Sequence, residues 1–505
     1  MPAPMTVPPT PGSTPDTLIV ECLMDESVRN GAMAGFVGRE RELAALDRAL
    51  DRVRAGGRAG RPGRALLIRG RRRVGKSRLA EEFVERAGVP HLFFTASAQS
   101  SVAADLGLFT ESAISSDLPG AEVFRDQTPA TWDAALRLLA AALPQDQPAI
   151  VVLDEMPYLI ANDPGFEGAL QTLFDRELSR RPMLLLCIGS DLAMMEALNE
   201  YGRPFHQRAT EMVIPPLNPA DVAAMLDLPA ADAFDAYLVT GGLPLILDEW
   251  PDGASLTDYL TDAVTDPTSA LLVSAERALA AEFPTEAQAR RVLGAIGSGE
   301  RTFTLIGRAA GDLPHASLSR ALHLLTTKRL VDATTPLSTQ PSKETRYVVT
   351  DPYLRFWLTF LGPRFADIER GRGDLVLDRI QTSWTTWRGR AIEPVIRESL
   401  RRLPDGILPA ATTAIGGYWT RTNDPEIDIV GADHAPIATR ITAVGSIKWH
   451  NNRPFDTHDL AQLTIHRSRL PGADDDTPLI AVTRAGTTTP GISTLGPDDL
   501  IDTWA

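Results

Sequence analysis

The sequence predicts an α/β protein: a parallel sheet first, then a helical and winged-helix segment, then a second α/β module. Three stretches of the 505 residues carry this expectation. Gly70-Arg71-Arg72-Arg73-Val74-Gly75-Lys76-Ser77 stands between an apolar run, Ala65–Arg69, and a helix-like stretch that starts at Arg78. Pro148-Ala-Ile-Val-Val-Leu-Asp154-Glu155 is an apolar strand leading directly into two acids, as expected of a buried parallel strand that delivers carboxylates to its C-terminal edge. Met183–Ser190 is a further buried strand that ends in small and polar residues.

Taken in order, residues 1–35 begin with a proline-rich run and have no sustained periodicity, which predicts a mobile tail, with Met33 an alternative start to Met1. Structure is expected from Phe36, where a Gly-Arg turn opens a helix over Glu40–Val53 with Leu43, Leu46 and Leu50 on one stripe. This helix should pack beside the glycine-rich loop. Strands follow at Ala65–Arg69 and His91–Thr95, an amphipathic helix at Trp132–Ala142, and a fifth strand candidate at Glu211–Leu217. Two glycines, Gly241 and Gly242, end a helical stretch. They serve either as a helix stop or as a point where backbone approaches a ligand or partner.

From residue 284 the pattern becomes three helices and two short strands, the spacing of a winged helix. Its third helix carries Ser317, Ser319, Arg320, His323 and Lys328, which can face a DNA groove, although such units also serve as internal docking modules. Tyr353, Phe356, Trp357 and Phe360 form an aromatic stripe expected to be a core seam tying this unit to the next. Residues 380–505 contain a helix with Glu393, a strand with Glu426-Ile-Asp428 and a strand with Ser446-Ile-Lys448. Carboxylates and a lysine so placed can gather around Mg²⁺ for phosphodiester cleavage, but Ser446 stands where a carboxylate is wanted.

The spacing of Gly70–Ser77 has a chemical reason. Glycines let the backbone aim its N–H groups at a polyphosphate, and the following helix adds the positive end of its dipole. Lys76 then reaches the β- and γ-phosphates, and Ser77 holds Mg²⁺. Asp154 supplies a second oxygen to the metal, and Glu155 polarises the attacking water in ATP hydrolysis. Gly70, Arg71, Arg72, Arg73, Val74, Gly75 and Arg78 complete the expected nucleotide contacts. Ser190 serves either as a polar sensor of the γ-phosphate or water, or as a helix N-cap. Arg208, before the fifth strand, can neutralise charge developing on the γ-phosphate in the same chain or across a subunit interface, or it is a surface arginine.

Composition sets limits. A chain of this length is too long for one core, and about 150 residues per domain predicts about three. Hydrophobic residues make up 44% and charged residues 23%, ordinary values for a globular protein. The net charge of −15 argues against a protein that coats nucleic acid, while leaving room for a local basic face. Cys22 and Cys187 lie too far apart in sequence and setting to suggest a disulfide framework or a cysteine-based zinc site, which fits a reducing cytoplasm. No apolar run approaches the roughly 18 residues that span a bilayer, and no secretory signal is evident, so no membrane association is expected.

Five motifs together carry a resemblance: Phe36-Val-Gly-Arg-Glu, Gly70–Ser77, Val152-Leu-Asp-Glu, Thr240-Gly-Gly-Leu-Pro and Asp351-Pro-Tyr-Leu-Arg-Phe-Trp. They resemble the archaeal-type ATPases of archaea and bacteria, within the wider AAA+/STAND group of P-loop NTPases. The resemblance implies a P-loop ATPase domain over residues 36–217, a helical lid over 218–283 and a winged helix over 284–365. It also implies a domain over 380–505 similar to the PD-(D/E)xK nucleases, with the restriction-endonuclease-like fold. In that last domain Glu393, Asp428 and Lys448 align with the nuclease pattern, while Ser446 departs from it. ATP and Mg²⁺ are the implied cofactors; DNA, a second copy of the chain or another protein are the implied partners.

Overall fold

The longest apolar runs of the chain become strands buried on both faces, and they organise everything before residue 217. The structure is a computed structural model that describes residues 36–56, 60–190, 192–198, 200–283 and 287–505. The expected tail over 1–35, with Cys22 and Met33, lies outside the described residues. Helix α1 (Glu40–Arg54) buries Leu43, Leu46, Leu50 and Val53, one residue per turn. It leads into β1 (Arg64–Arg69), α2 (Lys76–Ala87), β2 (His91–Thr95), α3 (Val102–Ser115), α4 (Trp132–Ala142), β3 (Ala149–Asp154), α5 (Met156–Asn162), α6 (Phe166–Arg176), β4 (Met183–Gly189), α7 (Leu192–Leu198) and β5 (Ala209–Val213). The strands form one sheet in the order β2-β3-β4-β1-β5, with every neighbouring pair parallel.

All six residues of β3 and all seven of β4 are buried, which is why these stretches read as unbroken apolar runs. Trp132 on α4 packs edge-on against Phe109 and Phe166, closing one face of the sheet. The sheet order puts β4 between β1 and β3, so the turns after β1, β3 and β4 open side by side at one edge.

Helices α8 (Pro219–Leu226), α9 (Ala230–Thr240), α10 (Pro244–Leu247), α11 (Leu256–Thr265), α12 (Ala270–Glu282), α13 (Ala287–Gly297), α14 (Phe303–Ala309) and α15 (His315–Thr327) follow. Strands β6 (Val331–Thr334) and β7 (Arg346–Val349) then pair antiparallel. The expected helix-helix-helix-strand-strand order is present over 287–349. One apolar core runs from Leu217 to Ile380, so the segments expected as lid and winged helix share their interior. Gly242 has φ 66°, and an added Cβ would collide with the Leu217 carbonyl oxygen, so this glycine marks a close backbone approach as well as the helix end.

Helix α16 (Pro352–Phe356) continues through a wider turn at Trp357–Leu361 to α17 (Phe365–Glu369) and α18 (Gly373–Ala391). Pro394 in the first turn of α19 (Glu393–Arg401) separates it from α18. The last module holds β8 (Ala414–Trp419), β9 (Glu426–Ala432), β10 (Ile441–Lys448), α20 (Thr457–Ser468), β11 (Leu479–Thr483), β12 (Ser493–Leu495) and α21 (Pro497–Ile501). Its mixed sheet has the order β12-β11-β10-β9-β8, with β8, β9 and β10 antiparallel and β10, β11 and β12 parallel.

A buried ion pair ties α9 to α18. Arg388 Nη1 donates to Asp235 Oδ2 at 2.8 Å, with side chains only 2% and 8% exposed, and Arg388 Nη2 donates to the Trp449 carbonyl at 3.0 Å and to Asn451 Oδ1 at 2.7 Å. Asp235 Oδ2 also pairs with Arg484 Nη1 at 3.2 Å, so removing Arg388 leaves the buried carboxylate with one cation in place of two, in a medium that solvates it poorly. Arg388→Met is therefore expected to destabilise the protein by about 3 kcal/mol, and the added Asp235→Leu to recover part of that loss. Guanidinium denaturation checks this: an unchanged midpoint for Arg388→Met would show that the pair contributes nothing.

Candidate nucleotide-binding site

The turn from β1 into α2 wraps back on its own lysine. An added Cβ at Gly70 would lie 2.5 Å from the Ile214 carbonyl oxygen, so only glycine fits where the chain leaving β5 crosses the loop. Gly75, at φ 84°, caps α2. Arg73 also takes a left-handed conformation, φ 67°, which a non-glycine residue adopts at a cost. Lys76 Nζ donates to the carbonyl oxygens of Gly70 and Arg71 at 3.0 and 2.9 Å. Burial pulls its pKa down, opposed by Glu155 and then Asp154. The Val74 carbonyl accepts from Arg39 Nη2 at 2.8 Å, so the turn before α1 braces the loop.

The acids meet this loop from β3. Ser77 Oγ donates to Asp154 Oδ2 at 2.7 Å, and Asp154 Oδ1 accepts from the Glu155 amide at 2.9 Å. Asp154 is buried, and burial raises its pKa against the lowering effect of the Ser77 bond. A hydroxyl and a carboxylate in contact are an oxygen pair suited to Mg²⁺, which NTP sites hold with one or two carboxylates plus phosphate oxygens. Glu155 sits at φ 52°, a left-handed conformation that a non-glycine residue adopts at a cost. Ser190, at the end of β4, lies 2.9 Å from both Glu155 carboxylate oxygens. This contact holds the acid itself.

The three loop arginines spread to three elements. Arg71 Nη1 pairs with Asp351 Oδ2 at 3.0 Å and Nη2 donates to the Arg329 carbonyl at 2.8 Å. Arg72 donates to the Tyr158 hydroxyl on α5 at 3.0 Å. Arg73 donates to Ser274 Oγ on α12 at 2.6 Å. Arg78 instead sits on the exposed side of α2, beside Glu81 and Glu82 at 3.5 and 3.7 Å. The structure gives Arg208 a different setting from the γ-phosphate role. Its Nε and Nη2 bind Asp175 on α6 at 2.8–3.0 Å, and Nη1 donates to the Pro204 and His206 carbonyls. Arg203 pairs with Glu167 at 2.6 Å.

In the last module Glu393 and Asp428 lie close enough for their charges to interact, while Lys448 turns to another acid. Asp428 Oδ2 accepts from Ser446 Oγ at 3.1 Å and from the Ile447 amide at 2.9 Å. Glu393 pairs with Arg397 at 2.9 Å, and Lys448 Nζ turns to Asp459 on α20 at 3.2 Å. Glu426, which shares the Asp428 face, pairs with Arg346 at 2.6 Å. Among the described residues no group of three or more His, Cys, Asp or Glu side chains is placed to hold a metal ion. On α15, Arg320 and His323 are exposed, whereas Lys328, which caps its C-terminus, lies over the Phe283 ring at 5.3 Å.

Comparisons with known proteins bear on the same two regions. Residues 35–188 match the AAA ATPase domain family. Residues 357–460 match a family described as archaea bacterial proteins of unknown function. An uncharacterized protein of Methanocaldococcus jannaschii is 26% identical over 447 residues, which span 87% of this chain and 93% of that protein. Among solved structures, the chain is similar to a Walker-type ATPase of Pyrococcus abyssi, with 18% identity, TM-score 0.44, and 64% of this chain and 96% of the other covered. It is also similar to the ORC2 protein of Aeropyrum pernix, with 16% identity, TM-score 0.43, and 71% and 99% covered. No helix among the described residues is long and apolar enough to cross a membrane.

Asp428 generates a pH prediction. Burial, then the neighbouring charge of Glu393, push its pKa up to about 6, above the ordinary carboxylate range. The folded protein therefore binds a proton that the unfolded chain releases between about pH 4 and pH 6, and stability falls as pH rises through that window. Asp428→Asn keeps the acceptor oxygen and removes the charge. The variant is expected to melt higher than wild type at pH 7.5, with the difference shrinking towards pH 5. A constant difference across that range would contradict the assignment.

Proposed function

We propose that this protein is an ATP-binding and ATP-hydrolysing switch, in which the nucleotide held by Gly70–Ser77 sets the position of the helical segment and the C-terminal module. The match of residues 35–188 to the AAA ATPase domain supports the nucleotide chemistry. The observation that carries the switch is the loop itself: its arginines bind Ser274 on α12 and Asp351 at the start of α16, so loop and following segments share hydrogen bonds.

Each residue then has a task. The loop amides and Lys76 bind the phosphates, and Lys76 exchanges its two carbonyl acceptors for phosphate oxygens. Ser77 and Asp154 hold Mg²⁺, which supplies positive charge against the phosphate oxygens. Glu155 accepts the proton of the attacking water, and its carboxylate must leave Ser190 to do so. Arg208 takes part only if Asp175 releases it. The C-terminal module binds and transmits rather than cuts, because Lys448 is paired with Asp459 and Ser446 supplies no carboxylate.

Two experiments test this. Lys76→Ala is expected to lose ATP binding, whereas Glu155→Gln keeps binding and loses turnover by about 10²-fold or more. Equal, background phosphate release from wild type and both variants would remove the hydrolase claim. Arg71→Ala is expected to leave ATP affinity within a few fold while abolishing the nucleotide-dependent change in hydrogen exchange over residues 346–361. An unchanged exchange difference in that variant would show that the Arg71–Asp351 contact carries no signal.

A further inference from the structure

A cavity of about 400 Å³ opens between α13, the β6–β7 hairpin, α18 and α19, well apart in sequence from the glycine-rich loop. In a chain of net charge −15, its lining brings six arginines together with a single carboxylate, Glu393. Two of these arginines are spent: Arg346 on Glu426 and Asn423, and Arg397 on Glu393 and the Asp428 carbonyl. Among the described residues, Arg301 has only a distant ion-pair partner, Glu426 at 3.7 Å. Arg355, Arg379 and Arg390 make no side-chain hydrogen bond or ion pair with any described residue.

Cations crowded on a partly dry wall repel one another and lose hydration, which is unfavourable unless an anion enters. Arg355 shows this strain: burial, then the charge of Arg301, lower its pKa to about 10. The guanidinium fork matches phosphate oxygens two at a time, and a ligand of charge −2 or more relieves several arginines at once. The volume suits a small ligand and is too small for a duplex. Trp387 and Tyr347 on the same walls give a base or sugar an apolar surface.

We propose that this cavity is a second anion site that binds the phosphate groups of a nucleotide-sized ligand, with Arg355 and Arg390 as principal contacts. Two sources share that chemistry, a free nucleotide and the phosphorylated end of a nucleic-acid strand.

The test uses the full chain carrying Lys76→Ala, so that the loop site does not report. Pyrophosphate, AMP and a 5′-phosphorylated single-stranded tetranucleotide are titrated by calorimetry. Saturable binding of at least one probe is expected, weakened tenfold or more by Arg355→Gln and by Arg390→Gln. Preference for AMP identifies a free nucleotide, and preference for the tetranucleotide a strand end. Arg390 is exposed, so its variant keeps the test decisive even if Arg355→Gln alters folding. No saturable binding of any probe, or binding unchanged by Arg390→Gln in a folded protein, overturns the proposal. Absence of ATP turnover in wild type leaves it standing, because the two sites share no residue.

Discussion

The hydrogen bond from Ser77 to Asp154 joins two parts of the site that the sheet holds apart. β1 and β3 are separated by β4, two strand spacings or about 10 Å. The loop must therefore lean across the end of β4 for its serine to reach the acid. Gly70 permits that lean by letting the backbone pass close under the Ile214 carbonyl, and Arg39 holds the far side through Val74. Once Ser77 and Asp154 touch, Lys76, Asp154 and Glu155 share one half-buried edge, and their charges compensate one another where water solvates them poorly. Moving any one of them changes the balance felt by the others.

Helix α16 extends this dependence into the rest of the chain. Asp351 caps it by accepting from the Leu354 amide, and the same carboxylate binds Arg71. Two residues on, the Tyr353 hydroxyl accepts from the Ala275 amide and donates to the Leu271 carbonyl, and Trp357 Nε1 donates to the Leu272 carbonyl. Phe356 and Phe360 pack on Trp387 of α18. Arg355, one turn after Asp351, faces the arginine-lined cavity. This short helix and the turn that continues it thus have their capping residue on the glycine-rich loop, their aromatic side chains in two helix interfaces and their arginine in a second cavity.

The parts legible in the sequence are those whose chemistry is contiguous. A glycine-rich loop between strand and helix, and two acids at the end of an apolar run, identify themselves because neighbours along the chain remain neighbours in space. Strands β3 and β4 are readable for the same reason, since burial on both faces leaves an unbroken apolar run. The contacts that wire the loop to other segments were not readable. Arg71 meets Asp351 across 280 positions, and Arg73 meets Ser274 across 201. The Asp351–Trp357 motif looked like an aromatic seam because tyrosine, phenylalanine and tryptophan dominate its composition. Its two charged residues carry the contacts that matter to the loop and the cavity. Arg208 shows the opposite case, where position before a strand suggested the site and a bidentate pairing with Asp175 holds the side chain elsewhere.

The C-terminal module illustrates how alternation along a strand places a residue without deciding its partner. Ser446 and Lys448 share a face of β10, two residues apart, and Ser446 does reach Asp428. Lys448 does not, because Asp459 is buried near the start of α20 and needs positive charge, which Lys448 and Arg453 both supply. Asp428 is left with a hydroxyl and an amide as its donors and with Glu393 as a repelling neighbour. Arg397 relieves part of that repulsion by pairing with Glu393 while donating to the Asp428 carbonyl, and the same arginine forms one wall of the cavity. Arg397 therefore joins the Asp428–Glu393 acids to the wall of the neighbouring cavity through one shared guanidinium.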